Sequence, residues 1–126
     1  MKKLRFFRCK HCGNVVVKLL DKNVPVFCCG EKMEEIVANT TEAATEKHLP
    51  VVTLNNGLLE VNVGSIPHPM ETEHYINFIV VETKSGYAIK TLNPKHAPKT
   101  TFYVGKEKVM AVYEYCNLHG LWKTEL

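Results

Sequence analysis

From residue 48 onward, hydrophobic and polar positions alternate in short runs instead of recurring every third or fourth residue. That period predicts strands and argues against amphipathic helices. Leu59, Val61 and Val63 alternate with Glu60 and Asn62, giving one buried and one wet face. Residues 51–54 and 58–63 flank Asn55-Asn56-Gly57, a hairpin signal, and residues 75–82 and 87–92 flank a second one, Lys84-Ser85-Gly86. A loop rich in proline and lysine (93–99) leads to a strand at 101–104, a turn at 105–108 and a last strand at 109–115. Six or seven short strands and no long helix predict an antiparallel β-sandwich of immunoglobulin-like type.

The first 38 residues follow another logic. Short strands at 15–17 and 24–27, linked by Leu20-Asp21-Lys22-Asn23, carry Cys28-Cys29-Gly30 back toward Cys9-Lys10-His11-Cys12-Gly13. A segment this short cannot bury enough apolar surface to fold unaided, so a staple is expected. The predicted fold is therefore mainly β. It has a small metal-stapled domain over residues 1–38, a sandwich over 39–126, and one or two helical turns within 39–47 joining them. No repeat or low-complexity segment interrupts this.

Composition narrows the function classes. The chain has 126 residues, 45% apolar and 23% charged, as in an ordinary soluble globular protein. A net charge of +3, with thirteen acids among the bases, gives no basic stripe, so no nucleic-acid partner is expected. Residues 1–8 are basic but offer only Leu4, Phe6 and Phe7 beyond the initiator as apolar content, too little for a signal-peptide core. No apolar run reaches membrane-spanning length. The expectation is a cytoplasmic protein with reduced thiols, in which clustered cysteines more often bind metal than form disulfides.

The five cysteines divide into a cluster of four (Cys9, Cys12, Cys28, Cys29) and Cys116 alone. Cys9-x-x-Cys12-Gly13 is a metal knuckle, and a four-thiolate site would turn metal-binding energy into folding energy. The adjacent Cys28 and Cys29 must reach one metal from opposite sides of a strand-like backbone, which should distort the tetrahedron. A vicinal disulfide or a redox dithiol at Cys28-Cys29 is the alternative, but neither accounts for Cys9 and Cys12. All-sulfur ligands suit iron and zinc alike.

Cys116-Asn117-Leu118-His119-Gly120 sets a thiol and an imidazole three residues apart at a strand end. C-x-x-H alone is weak evidence, but His48, His68 and His74 lie upstream beside prolines or at a strand start. Prolines 50, 67 and 69 disfavour helical spacing around them, which leaves strand ends and loops. Four imidazoles and one thiolate exceed what zinc normally takes. With the imidazoles in a plane and the thiolate axial they would leave a sixth position open, an arrangement suited to redox iron. The alternative is that each histidine is a satisfied loop or core residue. Glu46 and Lys47 read as solvated charges at a helix end, and His11 and His96 as solvated side chains.

Taken in order, C-K-H-C-G (9–13), C-C-G (28–30), E-K-H-L-P (46–50), H-P-M (68–70), His74 and C-N-L-H-G (116–120) resemble desulfoferrodoxin, the two-iron class of superoxide reductase, from end to end. The resemblance implies a first iron bound by Cys9, Cys12, Cys28 and Cys29 in a distorted rubredoxin-like site. It implies a second iron with His48, His68, His74 and His119 equatorial and Cys116 axial. The implied reaction is reduction of superoxide to hydrogen peroxide by one electron and two protons. Lys47 would attract the anion and help place water, and Glu46 could close the sixth position once the iron is oxidised. Rubredoxin or a similar small carrier would be the electron donor, and a homodimer the assembly. Three other classes compete: a zinc-ribbon binding module fused to a sandwich, an electron carrier using only the four-cysteine iron, and a thiol redox protein without metal.

Overall fold

The structure, a computed structural model, describes residues 4–126. The chain divides into two compact units, Met1–Val37 and Ala38–Leu126.

In the first unit, β1 (Phe6–Arg8) is the centre of a three-stranded antiparallel sheet, flanked by β2 (Val15–Val17) and β5 (Glu34–Ile36). A second ribbon pairs β3 (Phe27–Cys28) with β4 (Glu31–Lys32). The sequence pattern predicts a strand over 24–27, but residues 24–26 are irregular, because Pro25 has no N–H to donate to a ladder. β2 takes β1 as its partner instead. Phe7, Cys9 and Met33 form a small buried cluster. Arg5 closes the sheet end, its guanidinium donating to both carboxylate oxygens of Glu35 at 3.1 and 2.9 Å and to Asp21 at 2.9 Å.

The second unit begins with a stretch that joins the sheet and not with a helix. Asn39 donates its backbone N–H to the Leu121 carbonyl at 3.0 Å, and its side chain brackets Lys123. Asn39 itself turns, at φ 64°, and the one or two helical turns expected over 39–47 are present as a single turn, α1 (Thr45–His48). Seven strands follow: β6 (Pro50–Asn55), β7 (Leu58–Val63), β8 (Ile76–Thr83), β9 (Tyr87–Thr91), β10 (Lys99–Tyr103), β11 (Val109–Cys116) and β12 (Gly120–Glu125). They form two antiparallel sheets, in the orders β10-β7-β6 and β12-β11-β8-β9. The predicted β-sandwich is present, with both hairpins where the turn residues put them. Asn56 and Gly57 have φ of 51° and 81°, the two positive values of a type I′ turn.

The core between the sheets includes Leu59, Val61, Val63, Ile79, Val81, Phe102 and Val112. Alternation in β7 is complete, exposed and buried by turns. β12 escapes the pattern reading, which ends the strands at residue 115. Leu121 and Trp122 are consecutive and both buried, so no period of two is visible there. β10 begins two residues earlier than the pattern suggests, inside the loop read over 93–99.

Candidate metal centres

In the first unit the four cysteines converge, their sulfurs lying within 4.8 Å of one another. Cys12 Sγ is 3.6 Å from Cys28 Sγ, and Cys28 Sγ is 4.0 Å from Cys29 Sγ. A tetrahedron with metal–sulfur arms of ~2.3 Å has edges of ~3.8 Å, which these values straddle. The neighbouring cysteines do not reach round a continuous strand. Cys28 ends β3, and Cys29 turns to a φ of 54°, in the left-handed region that a non-glycine residue seldom occupies. That turn swings the second sulfur to the same side.

Backbone N–H groups point at the sulfurs, Cys12 toward Cys9 at 3.5 Å and Asn14 toward Cys12 at 3.4 Å. The Asn14 side chain donates to Cys28 at 3.6 Å. The Cys12 N–H, more than any other contact, holds the Cys9 thiol down to about 6. Crowding by Cys12, Cys9 and Cys28 pushes Cys29 up to about 12. Four such thiols cannot all ionise together unless a cation sits among them, and the donor set fits one. His11 stands outside the cluster, 3.1 Å from a Glu31 oxygen, and His96 is exposed.

In the sandwich, His48, His68, His74, Cys116 and His119 bring their ligand atoms within 4.8 Å of one another. The four rings form a closed cycle of near-perpendicular neighbours. Centroids are 4.6 Å apart for His48–His68, 4.7 Å for His68–His74, 5.0 Å for His74–His119 and 4.9 Å for His48–His119, with interplanar angles of 76° to 88°.

Each arm has its own support. His48 ends α1, and its Nδ1–H donates to the Ala44 carbonyl at 2.8 Å. The helix is seated by Gly64, where a Cβ would lie 2.8 Å from the Glu46 carbonyl oxygen, so only glycine allows the approach. His68 Nδ1 donates to the Pro69 carbonyl at 2.7 Å. Met70 takes the Ile76 N–H on its sulfur, pinning the loop that carries His68 and His74. Cys116 leads into a three-residue hairpin loop, 117–119, that ends in His119, and Gly120, at φ 79°, faces Cys116 across the ladder. A bulge at Asn77, where Tyr115 pairs with Phe78 but Cys116 with Ile76, reverses the facing of β8 just below the site.

A carbonyl only accepts, so Nδ1 of His48 and of His68 carries the proton and Nε2 the lone pair. These two lone pairs face each other at 3.2 Å, and His119 Nδ1 is also 3.2 Å from His48 Nε2. Burial pushes His68 down to about 4 and lowers His48 and His74 as well, so none of these three rings readily takes a proton to relieve the repulsion. His74 Nε2 is buried with no partner at all. A cation relieves all of this. Adjacent nitrogens on arms of ~2.1 Å at right angles would stand ~3.0 Å apart, close to the observed spacing.

Cys116 is fully buried, and burial raises its thiol above the usual range. The N–H groups of His119 and Leu118 act against that rise. Glu46 and Lys47 are exposed. The positive charge of Lys47 is felt at the site, where it contributes to the lowering of His48 and His74. Sequence reasoning overlooked Trp122, which stacks on His48 at 4.9 Å and 25° and donates its indole N–H to the His119 carbonyl at 3.1 Å. Its only signal was being the sole tryptophan of the chain.

The desulfoferrodoxin family model matches residues 40–125. A desulfoferrodoxin of Nitratidesulfovibrio vulgaris is 41% identical over 119 residues, covering 94% of each chain. The chain belongs to the desulfoferrodoxin family. A second member, from Desulfarculus baarsii, is 39% identical over 98% of this chain and 97% of its own. Among solved structures, the superoxide reductase from Treponema pallidum superposes with a TM-score of 0.83 at 34% identity, over 98% of this chain and 100% of that one. A one-iron superoxide reductase from Giardia intestinalis reaches a TM-score of 0.54 at 30% identity, covering 64% of this chain and 99% of its own. Among the described residues no helix is long and apolar enough to cross a membrane.

Proposed function

We propose that the chain is a superoxide reductase with two irons, one in a four-cysteine domain over residues 1–38 and a catalytic one in the sandwich over residues 39–126. The observation that carries this reading is the closed cycle of four near-perpendicular imidazoles beside a buried thiol. Cys9, Cys12, Cys28 and Cys29 would hold the first iron for electron storage or structure. His48, His68, His74, His119 and Cys116 would hold the second. Iron in the second site supplies one electron to superoxide, which with two protons becomes hydrogen peroxide.

The protein's own groups prepare that step. Burial keeps His48, His68 and His74 neutral, so their lone pairs stay available near pH 7. The N–H groups of Leu118 and His119 stabilise a thiolate on Cys116 and temper its electron donation. Lys47, exposed beside His48, draws the anion to this face and orders water there as a proton source. Glu46, exposed in the same helical turn as His48, would be the carboxylate that binds the iron once it is oxidised. We assign the protein to the cytoplasm, with a rubredoxin-like electron donor and a homodimeric assembly.

Metal analysis, an absorption spectrum and pulse radiolysis test this together. Two irons per chain, separate all-thiolate and thiolate–imidazole bands, and one peroxide per superoxide without dioxygen are expected. Cys116→Ser should abolish turnover and keep the first band. Zinc in both sites, or a Cys116→Ser variant with full turnover, would overturn the reading.

A further inference from the structure

His74 is held differently from the histidines before it. His48 and His68 are each oriented by a carbonyl on Nδ1, whereas no ring hydrogen bond to the protein orients His74 among the described residues. Its backbone is held instead. On one side it forms an isolated antiparallel bridge with Glu71, with N–H to oxygen distances of 2.9 and 3.1 Å. On the other, one side chain spans it. Asn117 accepts the Tyr75 N–H on Oδ1 at 2.9 Å and donates from Nδ2 to the Glu73 carbonyl at 2.8 Å. The Asn117 backbone N–H also donates to the Tyr75 carbonyl at 3.3 Å.

We infer that Asn117 is the positioning residue for His74, bolting the loop that carries it to the turn that carries Cys116 and His119. The chemistry requires an amide. Oδ1 must accept from an N–H while Nδ2 donates to a carbonyl, and only asparagine or glutamine offers both. Glutamine is one methylene longer and cannot span the same two groups from the same Cα. Alanine leaves the Tyr75 N–H and the Glu73 carbonyl without these partners. Aspartate keeps the acceptor but sets an oxygen against the Glu73 oxygen. The backbone bond to Tyr75 survives every substitution, so the loop stays attached and only the setting of His74 is loosened. The inference rests on the reading that the sandwich site holds a metal.

Cobalt(II) titration of the metal-free full chain tests it, because cobalt gives distinct visible bands in all-thiolate and in imidazole–thiolate surroundings. Asn117→Ala should weaken cobalt at the sandwich site roughly 10–100-fold, the usual cost of losing a group that orients a ligand, and leave the four-cysteine site unchanged. Asn117→Asp should lie between it and the parent chain, and it carries the comparison if the alanine variant does not fold. The deciding arm is His74→Ala. In that background Asn117→Ala should cost nothing further, since there is no ring left to position. Equal losses in both backgrounds would show that Asn117 acts on Cys116 and His119 instead, and no loss in the parent chain would show that it positions nothing. Failure of the parent chain to take up cobalt at the sandwich site would instead overturn the metal reading itself.

Discussion

The two metal-competent clusters are built on opposite principles. The four cysteines of the first unit sit among strands of two or three residues over a core of Phe7, Cys9 and Met33. Even with buried Phe6 added, four side chains at ~1.5–3 kcal/mol each cannot offset ~1–2 kcal/mol of backbone ordering at each of some thirty residues. In the sandwich, strands of up to eight residues close over a continuous core, and the cluster lies at its end. In the first unit the ligands make the fold; in the second the fold makes the ligands converge. The first cluster is partly exposed, at Cys12 and Cys29, whereas in the sandwich cluster His48, His68 and Cys116 are buried and the ring nitrogens already face one another.

Metal removal should separate the two most sharply. Stripping both sites from the full chain is expected to unfold residues 4–37 while the sandwich persists, and Cys29→Ser should do the same to the first unit alone. Amide hydrogen exchange reads this residue by residue. A single cooperative loss of protection in both units would break the comparison.

Glu114 tests how much the sandwich tolerates without metal. It is fully buried in β11, neither carboxylate oxygen has a partner, and burial pushes its carboxyl up to about 9. Between the unfolded value of 4.5 and about 9, the folded state keeps a proton that the unfolded state has released. Stability is therefore full below 4.5 and falls as pH rises toward 9, by up to ~1.4 kcal/mol per pH unit. The buried imidazoles act the other way. His68 loses its contribution as pH falls from 6.5 through about 4, which leaves pH 6.5–9 for Glu114 to dominate among these groups. Denaturation of the metal-free chain, followed by the fluorescence of buried Trp122, should show this decline, and Glu114→Gln should flatten it by ~1 kcal/mol per pH unit. Parallel pH curves would remove Glu114 as the cause.

The smallest effect concerns Lys47, the exposed charge beside the buried site. Lys47→Ala should lower the second-order rate with superoxide roughly tenfold. It should also weaken the salt dependence, because salt screens exposed charges over ~8–10 Å. Pulse radiolysis across a salt series measures both, and equal rates with equal slopes would return Lys47 to the solvent.

Legibility in the sequence followed the physics of each region. Turn residues located the hairpins at Asn56-Gly57, where both φ values are positive, and at Lys84-Ser85-Gly86, closed by the Thr83 N–H donating to the Gly86 carbonyl, because turn preferences are local. The clustered cysteines were legible because short spacings limit where sulfurs can go. The consecutive burial of Leu121 and Trp122 erased the alternation that would have announced β12, and Trp122 is covered by His48 of α1, a neighbour its own strand cannot announce. The pairing of β2 with β1 was hidden for a related reason: three-residue strands carry no register information of their own.

The order of residues by itself determined which side chains could serve as ligands, that the chain would be short strands with turns between them, and that the first unit needed a staple. Only the tertiary structure decided that His48, from a single helical turn, would meet His119 seventy-one positions later at 3.2 Å, that Cys116 would face inward beside a bulge, and that Asn117 would reach across to residues 73 and 75. Spacing along a chain constrains neighbours within a few residues. Convergence across two sheets depends on register, bulges and close backbone approaches such as that of Gly64 to α1, which are settled only when the core closes.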